Sequence, residues 1–276
     1  MQIDTSDTIE WLQFKELSAF APMLLHGIST RKGGVSASPY QSLNVGLHVS
    51  DTPELVVLNR QLIAQHLGIA SHQMFFLKQI HSGKIIALDQ LPTDKLEDKG
   101  FWNEKNVWAE ADAWTTQLRN VALVVQMADC AAVLLYDSEK KAIGIAHAGW
   151  RGTVAEIVKN TLQQMKEKYQ TNPQNVWAGI SPCISVAKYE VGDEVVNTVK
   201  ELFPMEKDNY LWWNENTQKY HFDLKKANES QLLAMGVPKT QISISEHCTL
   251  TENHLFFSAR RDGNASGRIL ALMMLK

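Results

Sequence analysis

The amino-acid sequence predicts an α+β fold with mixed β-sheets. Strand-like and helix-like segments alternate along the chain, and several strand-like segments also follow each other as hairpin-like pairs. A regular βαβ repeat would place a helix after each strand, so this pattern favours α+β instead. The composition is that of a globular protein, since 45% of the 276 residues are hydrophobic and 21% are charged.

One helix and four strands are predicted in the first half of the chain. Pro53 begins the helix, the apolar spacing from Leu55 to Leu67 is helical, and Gly68 ends it. The charged stretch Leu91–Asn106 is predicted to be a surface loop within one domain. Apolar and partly β-branched runs predict the strands Met74–Ile80, Lys84–Leu88, Val121–Gln126 and Ala131–Tyr136.

The second half is predicted to contain three helices and four short strands. Thr153 is expected to cap the first helix, because Glu156 follows three residues later at the spacing of a capping box. The other two helices are expected to start at the N-cap residues Asp193 and Asp223, and Gly236 is expected to end the second of them. The predicted strands are Ala142–Ala146, Ile242–Ser245, Leu255–Ser258 and Ile269–Leu275.

Composition and charge exclude several classes of protein. The 27 basic and 30 acidic residues give a net charge of −3, whereas binding nucleic acid through its phosphates requires a basic excess. The apolar content is high enough to argue against disorder, and the 15 glycines are too few for a collagen-like chain. No apolar run approaches the roughly 18 residues that a membrane span requires. Neither nucleic acid nor a membrane is therefore an expected partner.

The three cysteines, Cys130, Cys183 and Cys248, are far apart in sequence and odd in number. A disulfide framework is therefore not expected. Acidic residues occupy the N-terminal stretch where a signal peptide would be basic. The sequence thus predicts a cytoplasmic protein in which Cys183 and Cys248 are structural.

Three residues at the ends of predicted strands are candidates for chemistry. Cys130 lies between two apolar strands, His81 precedes a Ser–Gly turn, and His147 precedes a glycine-flanked loop. A buried inert thiol and two histidines at turns are the alternative interpretation. Two imidazoles and one thiolate nevertheless form a three-ligand set that leaves a fourth position on zinc open. Arg151, beside the predicted helix start, would add a positive charge suited to phosphate or carboxylate.

Weaker candidates surround these three residues. Asp129 adjoins Cys130 and is a candidate catalytic residue or a partner that orients a ligand. Arg31 precedes two glycines, Asn44 could bind a ligand or form a turn, and Arg260 follows an apolar run. The signatures of α/β-hydrolases, P-loop proteins, zincins and Rossmann folds are missing from the sequence.

Taken together, these segments resemble the YfiH-type family, also called laccase-domain or polyphenol oxidase proteins and more recently purine nucleoside phosphorylases. The resemblance covers the chain from about residue 25 to its end, in the family's order. It implies a single domain over residues 1–276, with mixed sheets flanked by helices in an α/β/β/α-like arrangement. The segments are GISTRKGGVSASPYQSLNVGLHVSD, LKQIHSG, ADAWTT, ADCAAVLLYD, IGIAHAGWRGT, YEVGDEV and FFSARRDGNASGRI.

The resemblance implies a zinc site whose ligands are His81, Cys130 and His147. It also implies phosphorolysis of adenosine, inosine, guanosine and methylthioadenosine, and adenosine deamination is ascribed to the family as well. Nucleosides and phosphate are then the partners, and Arg31, Asn44, Arg151 and Arg260 are the candidate substrate-binding residues. The family often has Leu–Pro after the ADC motif, whereas this chain has Ala131–Ala132. That departure is expected to reshape the wall of the pocket and alter substrate preference, leaving the ligands intact.

Three other functions remain open on the sequence alone. The first is copper-dependent polyphenol oxidation, because two histidines and a cysteine also bind copper. The nine histidines include no HxH or HCH cluster of the kind that a multicopper oxidase requires. The second is a metal-independent hydrolase in which Cys130 is the nucleophile and His147 or His81 is its base. The third is a binding or regulatory protein without turnover.

Overall fold

The computed structural model describes residues 1–4, 9–91 and 109–276, which form fifteen β-strands and eight α-helices. The strands are β1 (Gln2–Asp4), β2 (Trp11–Gln13), β3 (Leu24–Ser29), β4 (Met74–Phe76), β5 (Ile85–Ala87), β6 (Ala113–Thr116), β7 (Ala122–Met127), β8 (Ala131–Asp137), β9 (Ala142–Ala148), β10 (Val176–Ile180), β11 (Glu190–Val191), β12 (Leu211–Asn214), β13 (Lys219–Phe222), β14 (Ile242–Ile244) and β15 (Ile269–Leu275). The helices are α1 (Lys15–Ser18), α2 (Pro53–His66), α3 (Trp150–Val154), α4 (Ile157–Tyr169), α5 (Asp193–Leu202), α6 (Lys207–Tyr210), α7 (Leu224–Ala234) and α8 (Ala259–Asp262).

Two mixed six-stranded sheets form the body of the structure. The first has the order β1-β2-β3-β15-β7-β4, and the second has the order β14-β10-β8-β9-β6-β5. Most neighbouring strands are antiparallel, whereas β4 pairs with β7, β5 with β6 and β10 with β14 in parallel. A small third sheet, β11-β13-β12, is not hydrogen-bonded to either of them, although Leu211 and Phe222 of this sheet pack in one cluster with the second large sheet. These mixed sheets confirm the predicted α+β class.

The two large sheets pack against each other through alternate residues of their central strands. Leu123, Val125 and Met127 of β7 share one buried cluster with Leu134 and Tyr136 of β8. The intervening residues of each strand also carry apolar side chains, because their opposite faces pack against helices. Strands buried on both faces thus explain why these segments read as continuous apolar runs.

Helices cover the outer faces of both sheets. On the first sheet, Ile63 of α2 packs in one cluster with Leu272 of β15. On the second sheet, Ile157 and Leu162 of α4 pack in one cluster with Leu135 of β8, and α5 and α7 contribute to the same cluster. Helix, sheet, sheet and helix therefore form four layers, as the resemblance implied. A single domain over residues 1–276 stays a prediction.

Several predicted elements are confirmed. The helix from Pro53 ends at His66, and Gly68 follows with a φ of +65°, the left-handed conformation that glycine adopts most readily. Asp223 caps α7 by accepting a hydrogen bond from the Lys226 N–H, and Gly236 follows the end of that helix with a φ of +92°. The strands predicted around Val121–Gln126, Ala131–Tyr136, Ala142–Ala146 and Ile269–Leu275 are present within one or two residues of those bounds.

Other predicted elements differ. Thr153 is not an N-cap. It lies inside α3, which begins after Gly149, because the short helix α3 and the longer helix α4 replace the single predicted one. Leu255–Ser258 forms no strand, since the Ser258 side chain caps α8 by accepting from the Arg261 N–H. The strand predicted over Met74–Ile80 ends at Phe76, and α5 takes Gly192 as its N-cap, with Asp193 as its first residue. The predicted loop Leu91–Asn106 lies outside the described residues after Leu91.

Within the described residues, every helix is too short or too polar to cross a lipid bilayer. The cytoplasmic location stays a prediction.

Candidate metal centre

Three chain segments bring His81, Cys130 and His147 together. His81 lies in the connection from β4 to β5, Cys130 lies in the turn from β7 to β8, and His147 lies near the end of β9. Their nitrogen and sulfur ligand atoms all lie within 4.8 Å of one another. The imidazole rings of His81 and His147 meet edge to face at 4.9 Å between centroids. The first two connections each run from one large sheet to the other, so the cluster forms where the two sheets are joined.

The Asp112 carboxylate, which is fully buried, positions both histidines. Its Oδ1 atom is 2.9 Å from Nδ1 of His147 and accepts a hydrogen bond from the His81 N–H at 3.0 Å. Its Oδ2 atom accepts hydrogen bonds from the Ser82 N–H at 2.7 Å and the Ser82 hydroxyl at 2.9 Å. The backbone carbonyl of Asp112 also accepts from the His147 N–H at 2.7 Å. Because Nδ1 of His147 is held by Asp112, Nε2 is the nitrogen left to bind a metal.

The Asp129 carboxylate holds the turn that carries Cys130. It accepts hydrogen bonds from the Thr249 hydroxyl at 2.6 Å, the Ser258 hydroxyl at 2.9 Å and the Arg260 N–H at 2.7 Å. Asp129 has a φ of +87° and His81 has a φ of +56°, so both residues occupy the left-handed region. The backbone at the cluster is thus held in unusual conformations by buried hydrogen bonds.

Gly149 allows the cluster to be compact. It is the N-cap of α3, with an ordinary extended backbone, and a Cβ atom built on it would lie 2.7 Å from Sγ of Cys130. Any side chain at this position would therefore collide with the sulfur atom.

Cys130 and His147 alter each other's ionisation. Burial disfavours a thiolate at Cys130, but the charge of His147 and hydrogen bonds from His147 and His81 outweigh burial and lower the pKa of the thiol. Burial likewise disfavours a charged His147, but the Cys130 charge and the hydrogen bond to Asp112 raise the pKa of its imidazole. The surroundings therefore favour the thiolate, which is the form of cysteine that binds metals.

The cluster lines a cavity of about 1080 Å³, which is large enough for a nucleoside. Tyr189 and Ile184 provide apolar surface in the wall. Gln126 also lines the cavity, and its buried Oε1 atom has no hydrogen-bond partner in the part of the chain that the structure describes. The cationic residues of the wall are Arg60, Lys78, Arg260 and Arg268.

Only part of the predicted substrate-binding set lies at this cavity. Arg260 lines it and donates from Nη1 to the Glu190 carbonyl at 2.9 Å. Arg31 instead donates to the carbonyls of Gln41 and Asn253, outside the cavity lining. Asn44 is fully buried, where its side chain binds Asp51 and accepts from backbone N–H groups. Substrate binding by Arg31 or Asn44 would therefore require a change in these contacts.

Arg151 is exposed, is not a lining residue of the cavity, and pairs with Glu194 at 2.9 Å. Ala131 and Ala132 are fully buried in β8 and are likewise not lining residues, so they do not reshape the wall directly. Cys183 and Cys248 are buried partners in an isolated β-bridge. All three cysteines are free thiols.

Sequence reasoning missed several residues of the site. Asp112 lies in the ADAWTT segment, where the only indication in the sequence is an acidic residue next to apolar ones. Arg268 lies in the FFSARRDGNASGRI segment, beside the more conspicuous Arg260. His48 and Arg60 come from a loop and a helix whose spacing in sequence gives no indication of a shared cavity. These residues are identified by the folded arrangement alone.

The residues present fit a bound metal ion. Two imidazoles and a thiolate are donors that zinc and copper both accept, and the buried carboxylate behind His147 is a common partner of metal-binding histidines. The cavity beside the cluster leaves space for a further ligand from solvent or substrate. The fold and the cluster together define a class of α+β proteins with a His–Cys–His cluster, suited to a metal ion, in the wall of a large cavity.

Comparison with known proteins identifies the family. A family model described as "Multi-copper polyphenol oxidoreductase laccase" matches residues 25–276. The structure is similar to the crystal structure of hypothetical protein YfiH from Bacillus licheniformis, with a TM-score of 0.89 and 30% identity over 99% of each chain. It is also similar to YlmD from Geobacillus stearothermophilus, with a TM-score of 0.88 and 31% identity over 99% of this chain and 98% of that one. The chain belongs to the laccase-domain family that includes YfiH and YlmD.

Curated relatives carry the names of enzymes. The purine nucleoside phosphorylase YlmD of Bacillus subtilis is 37% identical over 92% of this chain and 89% of its own. A purine nucleoside phosphorylase of Bacteroides thetaiotaomicron is 35% identical over 96% of both chains. The adenosine deaminase RL5 of an unknown prokaryotic organism is 32% identical over 88% of this chain and 91% of its own.

Proposed function

We propose that this protein is a zinc-dependent purine nucleoside phosphorylase acting on adenosine, inosine, guanosine and methylthioadenosine. The observation that carries the proposal is the His81–Cys130–His147 cluster in the wall of a cavity of nucleoside size. The names of the relatives support this reaction over oxidation or hydrolysis of an amide. Nucleosides and phosphate are then the substrates.

His81, Cys130 and His147 would hold the zinc ion. When bound, zinc supplies a positive charge that polarises a substrate oxygen. Asp112 fixes the orientation of His147 and the backbone at His81, so the donors are arranged before the metal arrives. We assign Asp129 a positioning role, because its two oxygens already accept three hydrogen bonds from the protein.

Other cavity residues suit a purine nucleoside. The Tyr189 ring offers a flat surface for the base, and the Arg260 guanidinium lies 5.2 Å from its centroid. Burial raises the pKa of the Tyr189 hydroxyl, so this side chain stays neutral. The Oε1 atom of Gln126 is available to accept a hydrogen bond from a base N–H or a ribose hydroxyl. These contacts would bind and orient the nucleoside.

The test is turnover by purified protein whose metal content has been measured. Inosine is incubated with and without phosphate, and free hypoxanthine and ribose 1-phosphate are quantified by chromatography. Phosphate-dependent release of both products, with zinc present at about one ion per chain, is the expected result. No base release, or copper at that stoichiometry together with oxidation of phenols, would overturn the proposal.

Adenosine deamination is a second candidate function, supported by the name of the RL5 relative. The same protein is incubated with adenosine in the absence of phosphate. Inosine formation establishes deamination, whereas unchanged adenosine excludes it. A metal-free, Cys130-dependent hydrolase is tested by chelation, because its activity would survive removal of zinc.

A further inference from the structure

Arg268 occupies the cavity wall in a position fixed by the backbone. Its N–H donates to Oδ1 of Asn44 at 2.8 Å, and its carbonyl accepts from the Val45 N–H at 3.0 Å. Gly46 lies against its side chain, since a Cβ atom on that glycine would be 2.7 Å from Cγ of Arg268. The strand β15 begins at the next residue. The side chain of Arg268 therefore enters the cavity from a rigid base.

One side of the Arg268 guanidinium is occupied and the other is open. Nη1 donates to the carbonyls of Ser266 at 2.8 Å and Gly267 at 2.9 Å. Among the residues that the structure describes, Nε and Nη2 find no acceptor and Arg268 forms no ion pair. Nε and Nη2 form the fork with which arginine binds two oxygens of a carboxylate or phosphate together. Two neighbouring N–H donors of a partly buried arginine, both without an acceptor among the described residues, indicate an oxyanion ligand.

The surroundings of Arg268 supply other charges but no free carboxylate partner in the described chain. The Asp129 carboxylate already accepts three hydrogen bonds, and Glu110, which also lines the cavity, binds Lys78 at 2.7 Å. Arg60 and Arg268 both line this cavity, together with His48. This region of the wall is positive and suits an anion.

We propose that the Nε–Nη2 fork of Arg268 binds the phosphate co-substrate, an inference that rests on the proposed phosphorylase function. Arg268 lines the same cavity as His81, Cys130 and His147, so an anion at the fork shares that cavity with the metal cluster. A phosphate oxygen attacks C1′ of the ribose and forms the new C–O bond. The C1′–N9 bond breaks, its electron pair leaves with the purine, and the purine takes up a proton from solvent. The products are ribose 1-phosphate and the free base.

The variants Arg268→Gln and Arg268→Lys test this assignment. Arg268→Gln removes the charge and the fork, whereas Arg268→Lys keeps the charge and loses two-point binding. The matched control is Arg119→Gln, because Arg119 is exposed and lies outside the cavity lining. Among the described residues, its side chain donates a hydrogen bond only to the backbone oxygen of Lys276. Melting temperature and circular dichroism establish that each variant is folded.

Two measurements follow on these proteins. Steady-state kinetics are recorded with inosine at varied phosphate, and inorganic phosphate alone is titrated calorimetrically at constant ionic strength. Arg268→Gln is expected to raise the KM for phosphate and weaken phosphate binding by at least about tenfold. Its KM for inosine should change by less than about threefold, Arg268→Lys should be intermediate, and Arg119→Gln should match the original protein.

The outcomes separate this inference from the function on which it rests. Unchanged KM and affinity for phosphate in folded Arg268→Gln refute the assignment of Arg268 while leaving the phosphorylase function intact. If the original protein binds phosphate through Arg268 but releases no base, the anion site stands and the phosphorylase function fails. If the KM values for phosphate and inosine rise equally, Arg268 shapes the whole cavity and the specific assignment is refuted.

Discussion

Replacing Asp112 with asparagine tests whether one buried carboxylate holds the metal site together. The substitution preserves size and shape, so it opens no cavity. It changes one oxygen, an acceptor, into an amide nitrogen, a donor. The donors that meet this carboxylate are the His147 ring, the backbone N–H groups of residues 80–82 and the Ser82 hydroxyl.

The magnitude follows from counting the donors that lose an acceptor. With the amide nitrogen in the Oδ1 position, it faces His147 and the His81 N–H. With the nitrogen in the Oδ2 position, it faces the N–H groups of Ile80 and Ser82. At about 1–2 kcal/mol for each lost acceptor, the free energy of unfolding falls by about 2–4 kcal/mol in either orientation. In the first orientation His147 also loses its fixed tautomer, and metal affinity is expected to fall about 10–100-fold.

Urea unfolding measures the stability, and competition with a chromophoric chelator measures the zinc affinity. The control is Asp137→Asn, a second fully buried carboxylate. Oδ1 of Asp137 accepts the N–H groups of Glu139 and Lys140, whereas its buried Oδ2 has no partner among the described residues. An amide nitrogen can therefore replace Oδ2, and the expected loss is below about 1 kcal/mol with zinc affinity unchanged. If Asp112→Asn behaves like this control, the positioning role of Asp112 is wrong.

Further predictions concern the thiol, the glycine beside it and a buried histidine. Cys130→Ala should remove both the bound metal and phosphorolysis, whereas Cys183→Ser should keep the metal. Elemental analysis of each purified protein measures the metal content, and metal retained by Cys130→Ala contradicts the proposed ligand set. Gly149→Ala should weaken zinc binding at least about tenfold through its collision with Cys130, while Gly192→Ala, at a similar N-cap with open space around it, should not. Burial lowers the pKa of His26 to about 4 from its ordinary 6.5, so the unfolded chain binds a proton first as pH falls. The contribution of His26 to the free energy of unfolding is therefore complete above pH 6.5 and declines between pH 6.5 and pH 4. At pH 5 the loss is about 2 kcal/mol. Urea unfolding at several pH values should show a smaller decline for His26→Gln.

The sequence predicts the core of this fold better than its local details. The strands around Leu123 and Leu134 are long apolar runs because both of their faces are buried, and such runs are visible without a structure. Thr153 was predicted to be an N-cap because its spacing to Glu156 matches a capping box. That prediction is wrong, because the chain forms two helices, α3 and α4, separated by a left-handed Glu156. Local side-chain patterns do not reveal such a break when tertiary packing determines it.

The candidate site likewise contains residues that the sequence predicts and residues that only the structure reveals. His81, Cys130 and His147 could be proposed from their motifs, because each carries a residue type that binds metals. Asp112 and Arg268 could not, since their roles depend on which backbone groups and which cavity they meet after folding. Arg151 was prominent in sequence because it lies in the same motif as His147, yet the structure directs it to Glu194.

The positive φ angle of His81 has a consequence for how this chain changes over evolutionary time. An L-residue in the left-handed region is less stable than glycine by about 1 kcal/mol, and the hydrogen bond from residue 81 to Asp112 uses the backbone N–H that any residue but proline provides. An imidazole is therefore not the side chain that folding alone would choose at this position, and selection for activity must keep it there. A lineage released from that selection would be expected to drift to glycine or asparagine at residue 81 first. Asp129, whose carboxylate accepts three buried hydrogen bonds, and the apolar strands would stay as they are.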